Sequence, residues 1–147
     1  MMILLLEETE KYYVELPKFC PLEGAHCVNE NLTVYRFVAH DIPSENDFRP
    51  VGLNPQKSYF KKKPETYCKS LALSVLTDLK EAETALSGMS ERFAASRFVA
   101  EGVITPTCGR IKSTPGPIGE SHISWWPYLG VVPSLSFKVT GGVSRGF

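Results

Sequence analysis

Apolar and polar positions alternate most clearly at Leu32–Val38. Leu32, Val34, Arg36 and Val38 fall on one side of an extended chain, and Thr33, Tyr35 and Phe37 on the other. Period-two alternation among β-branched and aromatic residues predicts a strand. The apolar run Leu71–Leu76 predicts a second, buried one. Asp78 and Glu81 follow at the spacing of a capping box, with Asp in place of Ser or Thr. Leu79, Ala82 and Leu86 then recur at helical spacing until Gly88 breaks the stripe. Ser90 marks the start of a second short helix through Phe93 to Arg97, or the two form one kinked helix. Phe98–Thr105, stopped by Pro106, reads as a strand, and Gly109–Ser113 as a short extended piece. Thr114–Gly119 is a Pro/Gly turn, and His122–Trp126 and Leu135–Thr140 are the last strands.

Three stretches are less regular. In Leu5–Leu16 the residues Glu7, Glu8, Glu10 and Lys11 favour helix, whereas Tyr12, Tyr13 and Val14 favour strand; Pro17 ends the segment. Cys20–Asn31 reads as a loop. Residues 40–66 hold Pro43, Pro50, Pro55 and Pro64 and predict a long connection with one short element near Phe48 or Tyr59. Gly141, Gly142 and Gly146 predict a loose tail over 141–147. Strands that cluster around one helical segment, rather than alternating with helices, predict an α+β fold. The expected form is a single domain over 1–147, with a mostly antiparallel sheet packed by one or two short helices.

Composition adds bounds. A chain of 147 residues buries roughly 70% of its unfolded surface, so its core needs neither metal nor disulfide. The apolar run Met1–Leu6 is too short to span a bilayer and meets Glu7 and Glu8 at once, unlike an export signal. These features predict a soluble cytoplasmic protein without a membrane partner. Cys20, Cys27, Cys68 and Cys108 are accordingly expected as free thiols. Net charge is zero but uneven: residues 1–48 carry nine acidic and three basic side chains, and the remainder carries the balancing excess of positive charge. Such asymmetry either guides a charged partner or cancels between facing halves.

Candidate chemistry lies in three places. Arg36 brings the fork used for phosphate or carboxylate onto an apolar strand face, where it needs a partner such as Asp41 or Glu101, or a cleft. Ser74 and Thr77 flank the corner before the helix, where N–H groups favour anions or the hydroxyls simply cap. His122, Trp125 and Trp126 combine a general base with stacking surface, or form a core strand. Lys57, Lys61, Lys62 and Lys63, with Lys69, interleave with Tyr59, Phe60 and Tyr67, a pattern suited to single-stranded nucleic acid. A pI of about 6.8 and zero net charge favour a solvated loop instead. Cys20, His26, Cys27 and His40 lack zinc-site spacing, so no metal is expected.

Arg36, Ser74 or Thr77, and Glu101 or Glu120 together resemble the Arg–Ser–Glu pattern of ADP-ribosyltransferases, without the family's paired acidic or Gln–x–Glu element. The resemblance implies NAD as cofactor, with Arg36 on its phosphates, Ser74 or Thr77 at the nicotinamide and a glutamate activating the acceptor. The residues themselves contain no phosphate loop, dinucleotide loop or catalytic triad. They favour a non-catalytic binding or interaction domain without cofactor, with a protein as the first-choice partner and nucleic acid as a weaker one.

Overall fold

The computed structural model describes residues 11–53, 63–88 and 98–142. Within them, β1 (Leu32–Val38), β2 (Leu73–Leu76), β3 (Phe98–Ile104), β4 (Gly109–Ser113), β5 (His122–Pro127) and β6 (Lys138–Gly142) form one sheet. Its order is β4–β5–β2–β1–β3–β6, and every paired strand is antiparallel. Three helices accompany it: α1 (Pro64–Ser70), α2 (Leu79–Ser87) and α3 (Pro133–Ser136). Short 3-10 turns occupy Glu45–Phe48 and Val51–Leu53. The expected α+β fold is thus observed. No helix among the described residues is long and apolar enough to cross a membrane.

The alternation in β1 divides the core between the two faces of the sheet. Register places Val34, Val38, Leu73, Val75, Ala100, Ile104 and Trp125 on one face. Phe48 and Phe137 close that face from above, their ring centroids 5.0 Å apart, and Trp125 stacks 6.2 Å from Phe137. On the other face α2 lays Ala82 and Leu86 over Leu76 and Val99. Beside it, Trp126 packs with Cys20, Cys68 and Ala72.

Several local expectations change. The loop expected over 40–66 ends in the first turn of helix α1, where Pro64 at the first helical position and Glu65 are a helix start. The first residues of the predicted strand, Leu71 and Ala72, are the exit from this helix, and β2 begins at Leu73. The 40–66 connection therefore contains two 3-10 turns and the start of a helix. Leu135 belongs to α3, where Pro133 again opens a helical turn, so the last strand starts at Lys138. Gly141 and Gly142 were placed in a loose tail but pair with Val99 and Phe98. The segment Lys11–Leu16 is neither helix nor strand; a single bridge ties Tyr12 to Tyr128. Its first part, the second helix near Phe93, Tyr59 and residues 143–147 lie outside the described residues.

The cysteine expectation also fails. Cys20 and Cys68 form a disulfide, leaving Cys27 and Cys108 free. Their separation of 48 residues hides this pairing from any local spacing rule.

Gly102 is required by close approach. A Cβ there would stand 2.5 Å from the Phe137 ring. Gly102→Ala is expected to cost about 1–3 kcal/mol through overpacking. Urea unfolding should show a lower midpoint with an unchanged slope.

Candidate functional site

Strand pairing sets Ser74 opposite Ser124 and Leu76 opposite His122. Ser74 is exposed, His122 half-buried and Ser124 buried. Thr114, just past β4, joins them: its Oγ1 lies 2.9 Å from Ser124 Oγ and 3.0 Å from His122 Nδ1. The Thr114 carbonyl lies 2.8 Å from the same Nδ1 and can only accept, so Nδ1 carries the proton. Nε2 is therefore left as an acceptor. Burial lowers the His122 pKa, and nearby Lys69 lowers it further, against the opposing effect of the Thr114 bond. The ring is neutral at pH 7.

His122 and Ser74 line a small recess, about 30 Å³, walled by Tyr35, Arg36, Phe37, Val75, Leu76 and Ile118. Ile118 also lines a groove of about 610 Å³ between α2 and the 115–120 turn, with Lys80, Thr84, Ala85 and Pro117. One contact set fixes the second wall. Asp78 caps α2 as expected, accepting from Glu81 N at 2.9 Å. The Glu81 side chain, however, accepts from Ser121 N at 2.9 Å and Ser121 Oγ at 2.7 Å. Ser121 Oγ in turn accepts from the Thr77 and Asp78 amides at 3.2 and 3.3 Å. The corner predicted as an anion site thus spends these two amides on the turn. Gly119 lies against the Glu81 carboxylate, where a Cβ would collide.

Arg36 has an internal role. Its Nε donates to the Asp47 carbonyl and its Nη1 to the Ser74 carbonyl, both at 2.8 Å, while its guanidinium sits 5.6 Å above the Phe48 ring. Burial brings its pKa down to about 10, although Asp47 and Tyr13 raise it, so it stays charged at neutral pH. The predicted partners Asp41 and Glu101 are replaced by two backbone carbonyls. Asp47, which sequence reading passed over, is buried and accepts from Ala39 N and Ser44 N, both at 2.8 Å, and from His40 Nδ1 at 3.1 Å. Burial pushes its carboxyl up, but these bonds prevail and hold it below the ordinary range. The signal was present: Ser44 and Asp47 stand at capping-box spacing.

The remaining candidates are dispersed. Arg36 and Ser74 send their side chains to opposite faces of the sheet. Glu101 accepts from the Tyr35 hydroxyl, whose pKa is raised by burial and then by that carboxylate, and Glu120 is exposed in the turn. Arg36 and Ser74 both border the small recess, but neither Glu101 nor Glu120 does, so the complete transferase-like set is not gathered around one cleft. Trp125 and Trp126 are both 1% exposed, with their indole N–H groups donating to the Cys108 and Cys68 carbonyls. Neither offers a stacking surface. Lys63 is exposed ahead of α1, and Lys57, Lys61 and Lys62 lie outside the described residues. No cluster of three metal-ligating side chains occurs among the described residues. Thr114 and Ser124 were missed, although Ser124 lies two positions from His122 and so shares its face. No family model, curated protein or solved structure matches the chain.

The lowered Asp47 pKa has a definite sign. Its contribution is full above the unfolded value, near 3.9, and is lost as pH falls through the folded value. Acid unfolding of the wild type should therefore steepen below about pH 4. Asp47→Asn turns one acceptor into a donor facing Ser44 N, so it should cost about 1–3 kcal/mol at pH 7 and flatten this acid slope. Equilibrium urea unfolding from pH 2.5 to 7 measures both. For His122, an NMR titration should give a midpoint below the ordinary 6.5.

Proposed function

We propose that this chain is a non-catalytic binding domain for a protein partner. A segment of the partner lies in the groove between α2 and the 115–120 turn and places one small side chain in the Ser74–His122 recess. The observation that carries the reading is the state of His122. Its Nδ1 is committed to Thr114, it is neutral, and it lines a recess whose other walls are largely apolar. Such a wall takes a compact side chain that donates one hydrogen bond. A recess of about 30 Å³ is far below the several hundred Å³ typical of small-molecule sites, which favours a side-chain tip over a nicotinamide or a base. One hydrogen bond contributes only about 0.5–1.5 kcal/mol, so burial along the groove, with Ile118 43% exposed, must supply most of the affinity.

Selection of random displayed peptides on the purified protein tests this reading. Selected peptides should weaken at least tenfold with Ile118→Arg and with His122→Ala, in variants that keep their melting temperature. NAD, nucleotides and oligonucleotides should leave that temperature unchanged. Peptides indifferent to both substitutions, or NAD consumption by the purified protein, would refute it.

A further inference from the structure

Strand order puts β4 and β2 on opposite sides of β5. The His122 ring presents Nδ1 to Thr114 at the end of β4, so its other edge is turned toward β2 and the recess. Nε2 has no hydrogen-bond partner among the described residues. No buried side-chain polar atom there lacks one, so Nε2 is open to solvent. Ser74 stands diagonally across, two positions from Leu76, the strand partner of His122. It is exposed, and its hydroxyl makes no hydrogen bond to the described residues. The other polar groups around the recess are spent. Tyr35 gives its hydroxyl to Glu101, and the Arg36 guanidinium is held by the Asp47 and Ser74 carbonyls. Arg36 and Val75 turn their side chains to the opposite face of the sheet. What remains is an apolar wall of Tyr35, Phe37, Leu76 and Ile118 with two unspent polar atoms, Nε2 and Ser74 Oγ.

We propose that the recess reads a serine or threonine hydroxyl of the partner and rejects the same residue once it is phosphorylated, an inference that rests on the docking reading above. A hydroxyl donates its one hydrogen to Nε2 and accepts the Ser74 hydrogen on a lone pair. A recess of about 30 Å³ has room for roughly one or two groups of water size, which a hydroxyl and the neighbouring methyl of threonine fill. That methyl lies against the apolar wall, so threonine is preferred to serine. Other side chains match less well. An ammonium brings a charge and three donors to walls that hold no anion, and Lys69 is close enough to disfavour charge at His122. A carboxamide leaves one N–H unpaired beside aromatic rings. A carboxylate has no hydrogen to give, and its oxygens would face the Nε2 lone pair. A phosphate ester adds about two negative charges near neutral pH and exceeds the recess in size. The groove leading to it sets Asp78 and Glu81 against Lys80 alone.

Displayed peptides selected on the intact protein supply the probes. Those weakened by both Ile118→Arg and His122→Ala should share a Ser or Thr at one position. Synthetic versions with Val for that Thr, or Ala for that Ser, should bind about tenfold more weakly, and phosphorylated versions about tenfold or more. On His122→Ala the same peptide replacement should cause no further loss, because its bonding partner is gone. Dependent peptides without a shared hydroxyl overturn the hydroxyl inference and leave the docking reading standing. So does a phosphorylated version that binds as well as its parent, or an undiminished loss on His122→Ala. Peptides indifferent to Ile118→Arg and His122→Ala overturn the docking reading and the hydroxyl inference together. The peptide replacements are measured on the wild type, so they decide even if His122→Ala does not fold.

Discussion

The fold turns on how β1 and β2 are joined. Their ladder consists of a single pair, Tyr35 with Leu76, whereas β1 and β3 pair along seven positions. Where the β1–β2 ladder stops, Arg36 reaches across and donates to the Ser74 carbonyl. Its other nitrogen holds the Asp47 carbonyl, and its flat face covers Phe48. One guanidinium thus replaces missing sheet hydrogen bonds and pins the 45–48 turn over the core. A planar fork with several fixed donors is suited to this task, and lysine would serve only one of the two carbonyls well. Burial in such a place is tolerated because both acceptors are backbone carbonyls with good geometry.

The turn that Arg36 holds is tied from several sides. Asp47 gathers two amides and a histidine, and Tyr13 donates from its hydroxyl to the Phe48 carbonyl at 3.0 Å. Phe48 is thereby fixed against Phe137, and Phe137 against Trp125. The acidic character of residues 1–48 is consistent with this arrangement: part of it faces inward, at Asp47, around a cation from β1. With that face closed, the opposite one is left for surface chemistry. There the separation of α2 from the 115–120 turn, held by Glu81 and Ser121, leaves the groove that leads to His122.

Much of the architecture was legible. Alternation in β1, the Asp78 cap and the apolar run before it located three elements with one or two residues' error. What failed was governed by contacts distant in sequence. The helix at Pro64 lacks a long apolar stripe, and its buried Cys68 reads as a thiol until Cys20 arrives from 48 residues away. The short helix at Pro133 lies within a segment whose composition favours strands. The site was legible residue by residue but not as a set. Arg36 was rightly singled out as anomalous, yet the sequence could not reveal that its partners are carbonyls, since carbonyls occur at every position. His122 was visible, whereas the Thr114 carbonyl that fixes its tautomer was not. Trp125 and Trp126 alternate across the strand, so both can be buried only because each face of β5 has its own cover, a property of the whole sheet.

Arg36 is a permanent internal strut, and its side-chain hydrogens report this directly. Nε–H exchange measured by NMR at neutral pH, with the exposed Arg49 as internal reference, is the closest test. The Arg36 Nε–H, bound to the Asp47 carbonyl, should exchange far more slowly than that of Arg49, and its terminal nitrogens should show hindered rotation. Exchange as fast as at Arg49, with freely rotating terminal nitrogens, would contradict the strut and return Arg36 to the pool of ligand-binding candidates.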